Sequence, residues 1–181
     1  MATPVPAGRE TPPGRNPVDT AREICLRQLE TRARSRAELA AKLRSKGVAD
    51  EVAETALDRL AAVGLIDDDA FAAAVISSAR DNRGLARRGL AAELRRRGVD
   101  EEVASSALGD LDAAAEESVA RDLVSRRLRS MNGLERQVQL RRLVAMLGRK
   151  GYPTDLAVRV VTEALGPAGE PEYDEPASVD S

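Results

Sequence analysis

Apolar residues recur along this chain at helical spacing, in a phrase that appears twice. The first copy is LAAKLRSKGVADEVAETAL, residues 39–57, and the second is LAAELRRRGVDEEVASSAL, residues 90–108. They align without a gap, 51 residues apart, and a weaker third copy, LVAMLGRKGYPTDLAVRVV, covers residues 143–161. Self-similarity at a regular spacing predicts a stacked array of one supersecondary unit.

The first copy predicts a helix that begins at a cap and buries one face. Ser35 and Glu38 have the spacing of a capping box, in which serine accepts from the N3 amide and glutamate returns to the cap amide. Leu39 and Leu43 then lie one turn apart on the same face. The equivalent residues of the other copies are Leu90 and Leu94, and Leu143 and Leu147.

A glycine turn is predicted to join this helix to the next one. Gly47, Gly98 and Gly151 stand where helices commonly end in a left-handed residue. The following helix is expected to start near a residue that favours the N-cap position, namely Asp50, Asp100 or Thr154. Each repeated phrase therefore predicts a helix, a glycine turn and a second helix.

A third helix is predicted before each pair. In GLIDDDAFAAAVISSAR, Gly64 ends the preceding helix, and Ile66 and Phe71 flank an Asp67 cap at the spacing of a hydrophobic staple. Both apolar residues are expected in the core. This helix is predicted to run to about Arg80, with counterparts at roughly residues 21–32 and 114–130.

These elements predict an all-α fold, a tandem array of three three-helix repeats that is elongated and curved, with disordered termini. About nine helices are expected. The three repeats are predicted at residues 18–63, 64–112 and 113–166. Residues 1–17 are rich in proline and residues 167–181 are acidic. Neither segment can bury enough apolar surface to order itself, so both are predicted to be disordered tails.

Composition agrees with a helical protein. Only 2% of the 181 residues are aromatic, and 32% are charged. A β-sheet would want more aromatic and β-branched residues. No stretch approaches the roughly 18 apolar residues of a membrane helix, so no membrane partner is expected. A single cysteine, Cys25, cannot form an internal disulfide, so the chain is expected in the cytoplasm with Cys25 buried as a small apolar residue.

Catalytic chemistry is not predicted. The chain has no histidine, so it lacks the usual general base and metal ligand. One cysteine cannot make a thiolate zinc site. The GLARRGLA segment has the glycine spacing of a phosphate-binding loop, but Leu90 and Ala91 stand where that loop requires lysine and serine or threonine. We therefore expect no enzyme, no metal and no cofactor.

Charge is segregated by helix. Without the acidic residues 167–181, the chain has 28 basic and 25 acidic residues, so its net charge is +3 rather than −2. Residues 27–46, 80–97 and 121–150 are strongly basic, whereas residues 100–117 contain seven acidic residues and no basic one. Basic groups near helix C-termini and acidic groups near N-termini complement the helix dipole, which explains part of this pattern.

Arginines that the helix dipole does not explain are the candidate binding residues. In stacked repeats they would align into a basic surface suited to a phosphate backbone or an acidic protein groove. The alternative is a solvated face with no partner. The first candidates are Arg80, Arg83, Arg87, Arg88, Arg126, Arg127 and Arg129. The second choices are Arg95 and Arg96.

A helix-turn-helix DNA-binding protein is the obvious alternative for the repeated phrase. In that motif the second helix enters the major groove. Here the second helix begins ADEV or DEEV, which would set carboxylates against phosphates. The scarcity of aromatic residues also gives little support for stacking on single-stranded bases.

Three phrases, in their order, resemble the RecX family of regulatory proteins. They are SRAELAAKLRSKGV, GLIDDDAFA and LAAELRRRGV, and the resemblance covers roughly residues 20–165. It implies a three-helix repeat protein that modulates the RecA recombinase and is not an enzyme. It further implies binding in the groove of the RecA–single-stranded-DNA filament. That binding would suppress ATP hydrolysis, strand exchange and co-protease activity, with a place in DNA repair and the SOS response.

The hypothesis is therefore a monomeric, cytoplasmic modulator that binds the RecA filament through the candidate arginines. Any contact with single- or double-stranded DNA is expected to be weak and nonspecific. The alternative is a nonspecific DNA-binding helical-repeat protein that acts by occupying DNA. A third, weaker alternative is a generic helical scaffold for another protein.

Overall fold

The computed structural model describes residues 16–109 and 111–167. Over these residues it contains nine α-helices, one short 3-10 helix and no β-strand. The predicted all-α fold of three three-helix repeats is confirmed. The predicted tails lie almost wholly outside the described residues. Asn16 and Pro17, which the sequence assigned to the first tail, instead cap and begin the first helix.

The helices fall into three sets of three, each set being one repeat. Repeat 1 contains α1 (Pro17–Leu29), α2 (Arg36–Ser45) and α3 (Asp50–Ala62). Repeat 2 contains α4 (Asp68–Arg83), α5 (Arg87–Arg96) and α6 (Glu101–Gly109). Repeat 3 contains α7 (Ala113–Leu128), a 3-10 turn (Arg129–Met131), α8 (Arg136–Arg149) and α9 (Thr154–Leu165). Repeats 1 and 2 pack into one compact unit, Met1–Leu111, and repeat 3 belongs to a second, Asp112–Ser181.

The helix starts that the sequence predicted are partly right. Ser35 accepts a hydrogen bond from the Glu38 amide at 3.1 Å, and Asp67 accepts one from the Ala70 amide at 2.8 Å. Asp100 caps α6 by accepting from the Glu102 amide. The expected caps Asp50 and Thr154 are wrong. They are the first residues of α3 and α9, which follow Ala49 and Pro153 without a side-chain cap.

The turn glycines have the left-handed backbone that the sequence predicted. Gly47, Gly98 and Gly151 have φ angles of 77°, 71° and 92°. Gly84 also ends its helix in the left-handed region, so α4 continues to Arg83 rather than stopping near Arg80. A side chain at such a position is strained, because Cβ approaches the following carbonyl oxygen.

Each repeat buries the apolar face that its spacing predicted. Leucines at the two matched positions of all three middle helices are at most 1% exposed: Leu39, Leu43, Leu90, Leu94, Leu143 and Leu147. Cys25 is fully buried, and desolvation raises the pKa of its thiol. Ile66 and Phe71 are both buried, but Ile66 packs in the core of repeat 1 and Phe71 in the core of repeat 2. The Asp67 cap therefore marks the crossing from one core to the next.

Repeats 1 and 2 are joined by polar contacts around the start of α2. The Ser35 hydroxyl donates to the Arg97 carbonyl at 2.6 Å while it caps α2. The Arg36 amide donates to the Asp68 carboxylate at 2.9 Å. The Gly98 turn packs so close to α2 that a Cβ on Gly98 would lie 2.5 Å from the Cβ of Ala37. The Gly98 turn of repeat 2 thus packs directly on the first turn of α2.

A buried carboxylate lies beside this junction. Glu93 of α5 is 3% exposed and accepts hydrogen bonds from Arg97 at 2.9 Å and Arg83 at 3.2 Å, and it also pairs with Arg96. Arg97 lies 3.9 Å from Glu38 of repeat 1. Desolvation alone would raise the pKa of Glu93. The hydrogen bonds from Arg97 and Arg83, with the charges of Arg83 and Arg96, nevertheless hold that pKa below its ordinary value.

Replacement of Gly98 by alanine is expected to weaken the junction of repeats 1 and 2. Gly98→Ala should lower the free energy of unfolding by about 2–4 kcal/mol, from left-handed strain plus the overlap with Ala37. Gly47→Ala is the matched control, since its φ is similar and nothing lies within 4 Å of the added Cβ. It should cost only about 1 kcal/mol. Urea unfolding measures both, and equal losses would contradict the close packing.

The Glu93 carboxylate is expected to make stability depend on acid pH. Glu93→Gln should lower the free energy of unfolding at pH 7 by roughly 1.5–3 kcal/mol, because the charge-assisted hydrogen bonds from the arginines to this buried carboxylate are lost. The folded pKa is depressed. The wild-type advantage should therefore persist above the unfolded glutamate pKa of about 4.3. It should shrink as pH falls through the lower folded value.

Urea unfolding of both chains between pH 3 and pH 7 measures this difference. Glu30→Gln, at an exposed carboxylate after α1, is the control and should change stability by less than about 0.5 kcal/mol. A wild-type advantage that stays constant across the range would contradict the assigned role of Glu93.

Candidate partner-binding surface

The structure distributes the nine candidate arginines over both compact units. Arg80 and Arg83 lie on α4, and four candidates lie on α5: Arg87, Arg88, Arg95 and Arg96. In repeat 3, Arg126 and Arg127 end α7 and Arg129 begins the 3-10 turn. All are exposed except Arg80, which is half-buried. Their surroundings separate them into groups with different capacities for binding.

Two candidates are engaged inside the fold. Arg83 and Arg96 both pair with the buried Glu93, which they share with Arg97, so both guanidiniums are held beside the junction of repeats 1 and 2. Arg83 also lies beside a small cavity of about 210 Å³ between the repeats, next to Phe71 and Arg97. These arginines stabilise the first unit, and their positive charge is less available to a partner.

Arg87 has an intramolecular partner that accounts for a positive charge at a helix start. Its guanidinium donates to the Leu111 carbonyl at 3.1 Å, just beyond α6. Arginines begin the middle helices of the other repeats too. Arg36 reaches Glu54 and Asp58 of α3, each at 2.6 Å, and Arg136 donates to the Leu165 and Gly166 carbonyls after α9. Each first-turn arginine thus ties its middle helix to the third helix of its own repeat.

Arg88 and Arg95 line a groove between α5 and α6, here called the repeat 2 groove. Its volume is about 460 Å³, and Arg87 and Glu101 also border it. Its remaining lining is mostly apolar: Ala91, Val99, Ala104, Ser105 and Leu108. Arg88 and Arg95 form no ion pair with another residue in the described ranges. The groove therefore offers two guanidiniums that form no ion pair in the described ranges, over a mostly apolar floor that Glu101 borders.

The arginines of repeat 3 surround a second groove. Arg126 Nε donates to the Asp122 carbonyl at 3.3 Å, and an Arg127 guanidinium nitrogen donates to the Ser130 hydroxyl at 3.4 Å. Arg127 also lines a groove of about 810 Å³ between α7, the 3-10 turn and α8, here called the repeat 3 groove. The other lining residues are Met131, Arg141, Arg142, Ala145, Met146 and Arg149. Among the described residues, four arginines and no carboxylate line this groove.

Arg141, Arg142 and Arg149 are not among the binding residues predicted from the sequence. The sequence did contain a signal for two of them. Arg142 and Arg149 lie seven residues apart and share one face of a helix with Met146. Within the part of the chain that the structure describes, these three guanidiniums pair with no acidic residue. By contrast, Arg121 and Arg159 are paired with Glu117 at 2.5 and 2.7 Å.

The described residues hold no cluster of three or more histidine, cysteine, aspartate or glutamate side chains placed to bind a metal ion. None of the helices found among them combines the length and the apolar character needed to cross a membrane. The chemistry that the two grooves do offer is recognition of anionic groups by arginine, with apolar contacts beside it.

Comparison with known proteins gives a match to each repeat separately. The family model "RecX, first three-helix domain" matches residues 21–60, the model for the second domain matches residues 67–108, and that for the third matches residues 115–161. Two solved structures share the fold. "Crystal structure of RecX from Lactobacillus salivarius" has a TM-score of 0.72 at 18% identity, covering 81% of this chain and 96% of that one. "Crystal structure of regulatory protein RecX" has a TM-score of 0.70 at 20% identity, covering 80% and 71%.

Sequence relatives cover most of the chain. "Regulatory protein RecX" of Streptomyces coelicolor is 50% identical over 158 residues, which is 87% of this chain and 84% of the relative. "Regulatory protein RecX" of Thermobifida fusca is 48% identical over 167 residues, or 90% of each chain. Each repeat is matched by its own model, and about half of the residues aligned with these relatives are identical. The chain therefore belongs to the RecX family of regulatory proteins.

Proposed function

We propose that this chain regulates recombination in the cytoplasm by binding the RecA–single-stranded-DNA filament. As a monomer it lies in the filament groove and mainly inhibits ATP hydrolysis, strand exchange and co-protease activity. It acts by binding alone, without catalysis or a cofactor. Membership of the RecX family supports the choice of partner.

The repeat 2 groove is the observation that carries this proposal. Arg88 and Arg95 stand over an apolar floor, and neither forms an ion pair with an acidic residue in the described ranges, although Glu101 borders the same groove. Interfaces between proteins favour arginine beside apolar contacts, because the planar guanidinium binds carboxylates while its stem packs. The groove therefore suits a protein surface with acidic and apolar groups, or phosphates lying beside such a surface.

Inhibition would follow from occupancy of several filament subunits by one chain. The three repeats place two basic grooves on one polypeptide, one in repeat 2 and one in repeat 3. Simultaneous contact through both gains strength from effective concentration, since the second contact is intramolecular. A filament held in this way cannot make the subunit rearrangements that its reactions require.

A second candidate function is nonspecific binding of DNA, with recombination affected only because DNA is occupied. The repeat 3 groove favours it, because four arginines without a lining carboxylate fit a phosphate backbone as well as an acidic protein. In that case RecA would not be a direct partner.

Charge reversal in the repeat 2 groove is expected to weaken inhibition of RecA. Arg88→Glu/Arg95→Glu should raise the concentration for half-inhibition of DNA-dependent ATP hydrolysis by roughly tenfold or more, since each charge-assisted contact contributes about 1.5–3 kcal/mol. Arg22→Glu/Arg59→Glu is the matched control, with the same charge change at exposed arginines of repeat 1. Far-ultraviolet circular dichroism checks that both variants keep their helices.

The control should inhibit as the wild type does. Equal loss in both double variants would mean that net charge alone matters. Full inhibition by the Arg88→Glu/Arg95→Glu chain would remove the repeat 2 groove from the mechanism.

The salt dependence of binding distinguishes a chain that acts on the RecA filament from one that acts by binding bare DNA. If phosphate contacts carry the main activity, the affinity for bare single strands should fall by roughly 0.7 log unit per log unit of salt for each phosphate neutralised. Inhibition should then track coating of the DNA. For a filament partner, we expect ATP hydrolysis to be lost at chain concentrations well below those that coat the same DNA without RecA. Paired titrations at one salt concentration measure this, and coincident curves would favour the second candidate.

A further inference from the structure

The repeat 3 groove holds positive charge without a visible counter-charge. Arg127, Arg141, Arg142 and Arg149 line it, with Met131 and Met146 between them. Residues 111–167 carry ten basic and seven acidic residues, a net charge of +3. Like charges that share one groove raise one another's electrostatic energy, and an anionic occupant lowers it.

The chain carries a segment of the opposite charge immediately after the second unit's last helix. Residues 168–181 read AGEPEYDEPASVDS and contain no basic residue. Their five acidic residues are Glu170, Glu172, Asp174, Glu175 and Asp180. Tyr173 stands in the middle of the acidic run, so the segment combines carboxylates with one aromatic ring. This composition complements a groove of arginines and methionines.

The geometry of α8 and α9 puts this segment within reach of the groove. Arg136 donates to the Leu165 carbonyl at 2.8 Å and to the Gly166 carbonyl at 2.5 Å, so α9 ends beside the first turn of α8. From Arg136 to Arg149, α8 rises about 20 Å at 1.5 Å per residue. Fourteen residues can span up to about 46–50 Å. Arg142 and Arg149 point some 220–240° round α8 from Arg136, so the segment must also pass round a helix about 10–12 Å in diameter. Residues 168–181 are long enough to cover both distances and reach the groove arginines.

We propose that residues 168–181 dock in the repeat 3 groove of the same molecule and that a polyanion displaces them. The acidic side chains face Arg141, Arg142 and Arg149, and Tyr173 packs against Met146, because Met131 is almost fully buried. Each ion pair is exposed and therefore weak by itself. A short tether supplies a millimolar effective concentration, so even a weak contact is substantially occupied. The segment then competes with phosphate ligands for this groove, a regulation that does not depend on the identity of the protein partner.

Fluorescence anisotropy of the full chain with Tyr173→Trp tests the docking directly. The chain has no tryptophan, so the introduced residue is the sole reporter. We expect an anisotropy close to that of the folded protein at about 20 mM salt. It should fall toward that of a mobile peptide at about 0.5 M, since exposed pairs are screened. A low anisotropy at every salt concentration overturns the proposal.

Two changes identify the groove as the docking site. In the Tyr173→Trp background, Arg141→Glu/Arg149→Glu should lower the anisotropy at low salt, whereas Arg22→Glu/Arg59→Glu, with the same charge change, should not. Neutralising the segment itself by Glu172→Gln/Asp174→Asn/Glu175→Gln should release it without touching the described fold. The assignment of this groove is overturned if only Arg22→Glu/Arg59→Glu lowers the anisotropy, or if neither arginine double variant lowers it.

Displacement is measured with a single-stranded oligonucleotide of twenty deoxythymidines. Added at low salt, it should lower the anisotropy in parallel with its binding. The neutralised segment should raise the chain's affinity for it by roughly tenfold, since the intramolecular competitor is gone. Binding that leaves the anisotropy unchanged overturns the competition. Anisotropy that rises with protein concentration, together with a dimer mass in sedimentation, means that the segment docks on a second copy and overturns docking within one molecule. RecA is absent from every arm, so these outcomes are separate from those of the proposed function.

Discussion

The buried Glu93 carboxylate is the constraint around which the first unit is arranged. A carboxylate that is 3% exposed must be compensated, and Arg83, Arg96 and Arg97 compensate it from one side of α5. At 100° per residue, Arg88 and Arg95 point some 200–220° round α5 from Glu93. The helix therefore divides its arginines between two tasks. One side joins repeat 2 to repeat 1, and the other side is left to line the repeat 2 groove.

The same division of arginines recurs through the protein. First-turn arginines of the middle helices are bound to acceptors on the third helix, as Arg36 is to Glu54 and Asp58. Such an arginine meets the negative end of a helix dipole or a carboxylate, so it is stabilising although it begins a helix itself. No such acceptor is found in the described ranges for the other groove arginines, namely Arg88, Arg95, Arg141, Arg142 and Arg149. The availability of charge to a partner thus depends on what each guanidinium already binds, and the density of arginine along the chain does not reveal it.

The three repeats differ in their middle helices. α8 has 14 residues, whereas α2 and α5 have ten each, so repeat 3 gains one helical turn of surface. That longer helix presents Arg141, Arg142 and Arg149 beside Arg127. Repeat 1 has Ala37 where repeat 2 has Arg88, and the Gly98 turn packs on that alanine. The surface of repeat 1 at this position serves internal packing, whereas the equivalent residues of the other repeats, Arg88 and Arg141, line grooves.

The sequence alone determined the repeats, the helices and their cores. The spacing of leucines along a helix and the left-handed backbone of a turn glycine are local properties. They depend on a few neighbouring residues and not on where the segment packs in the fold. The Ser35 and Asp67 caps followed for the same reason, whereas Asp50 and Thr154 failed because a helix may begin without a side-chain cap. Tertiary structure alone decided the roles of the arginines. Arg87 meets Leu111 and Arg136 meets Leu165 across 24 and 29 residues, and electrostatic pairing at such separations depends on how helices pack.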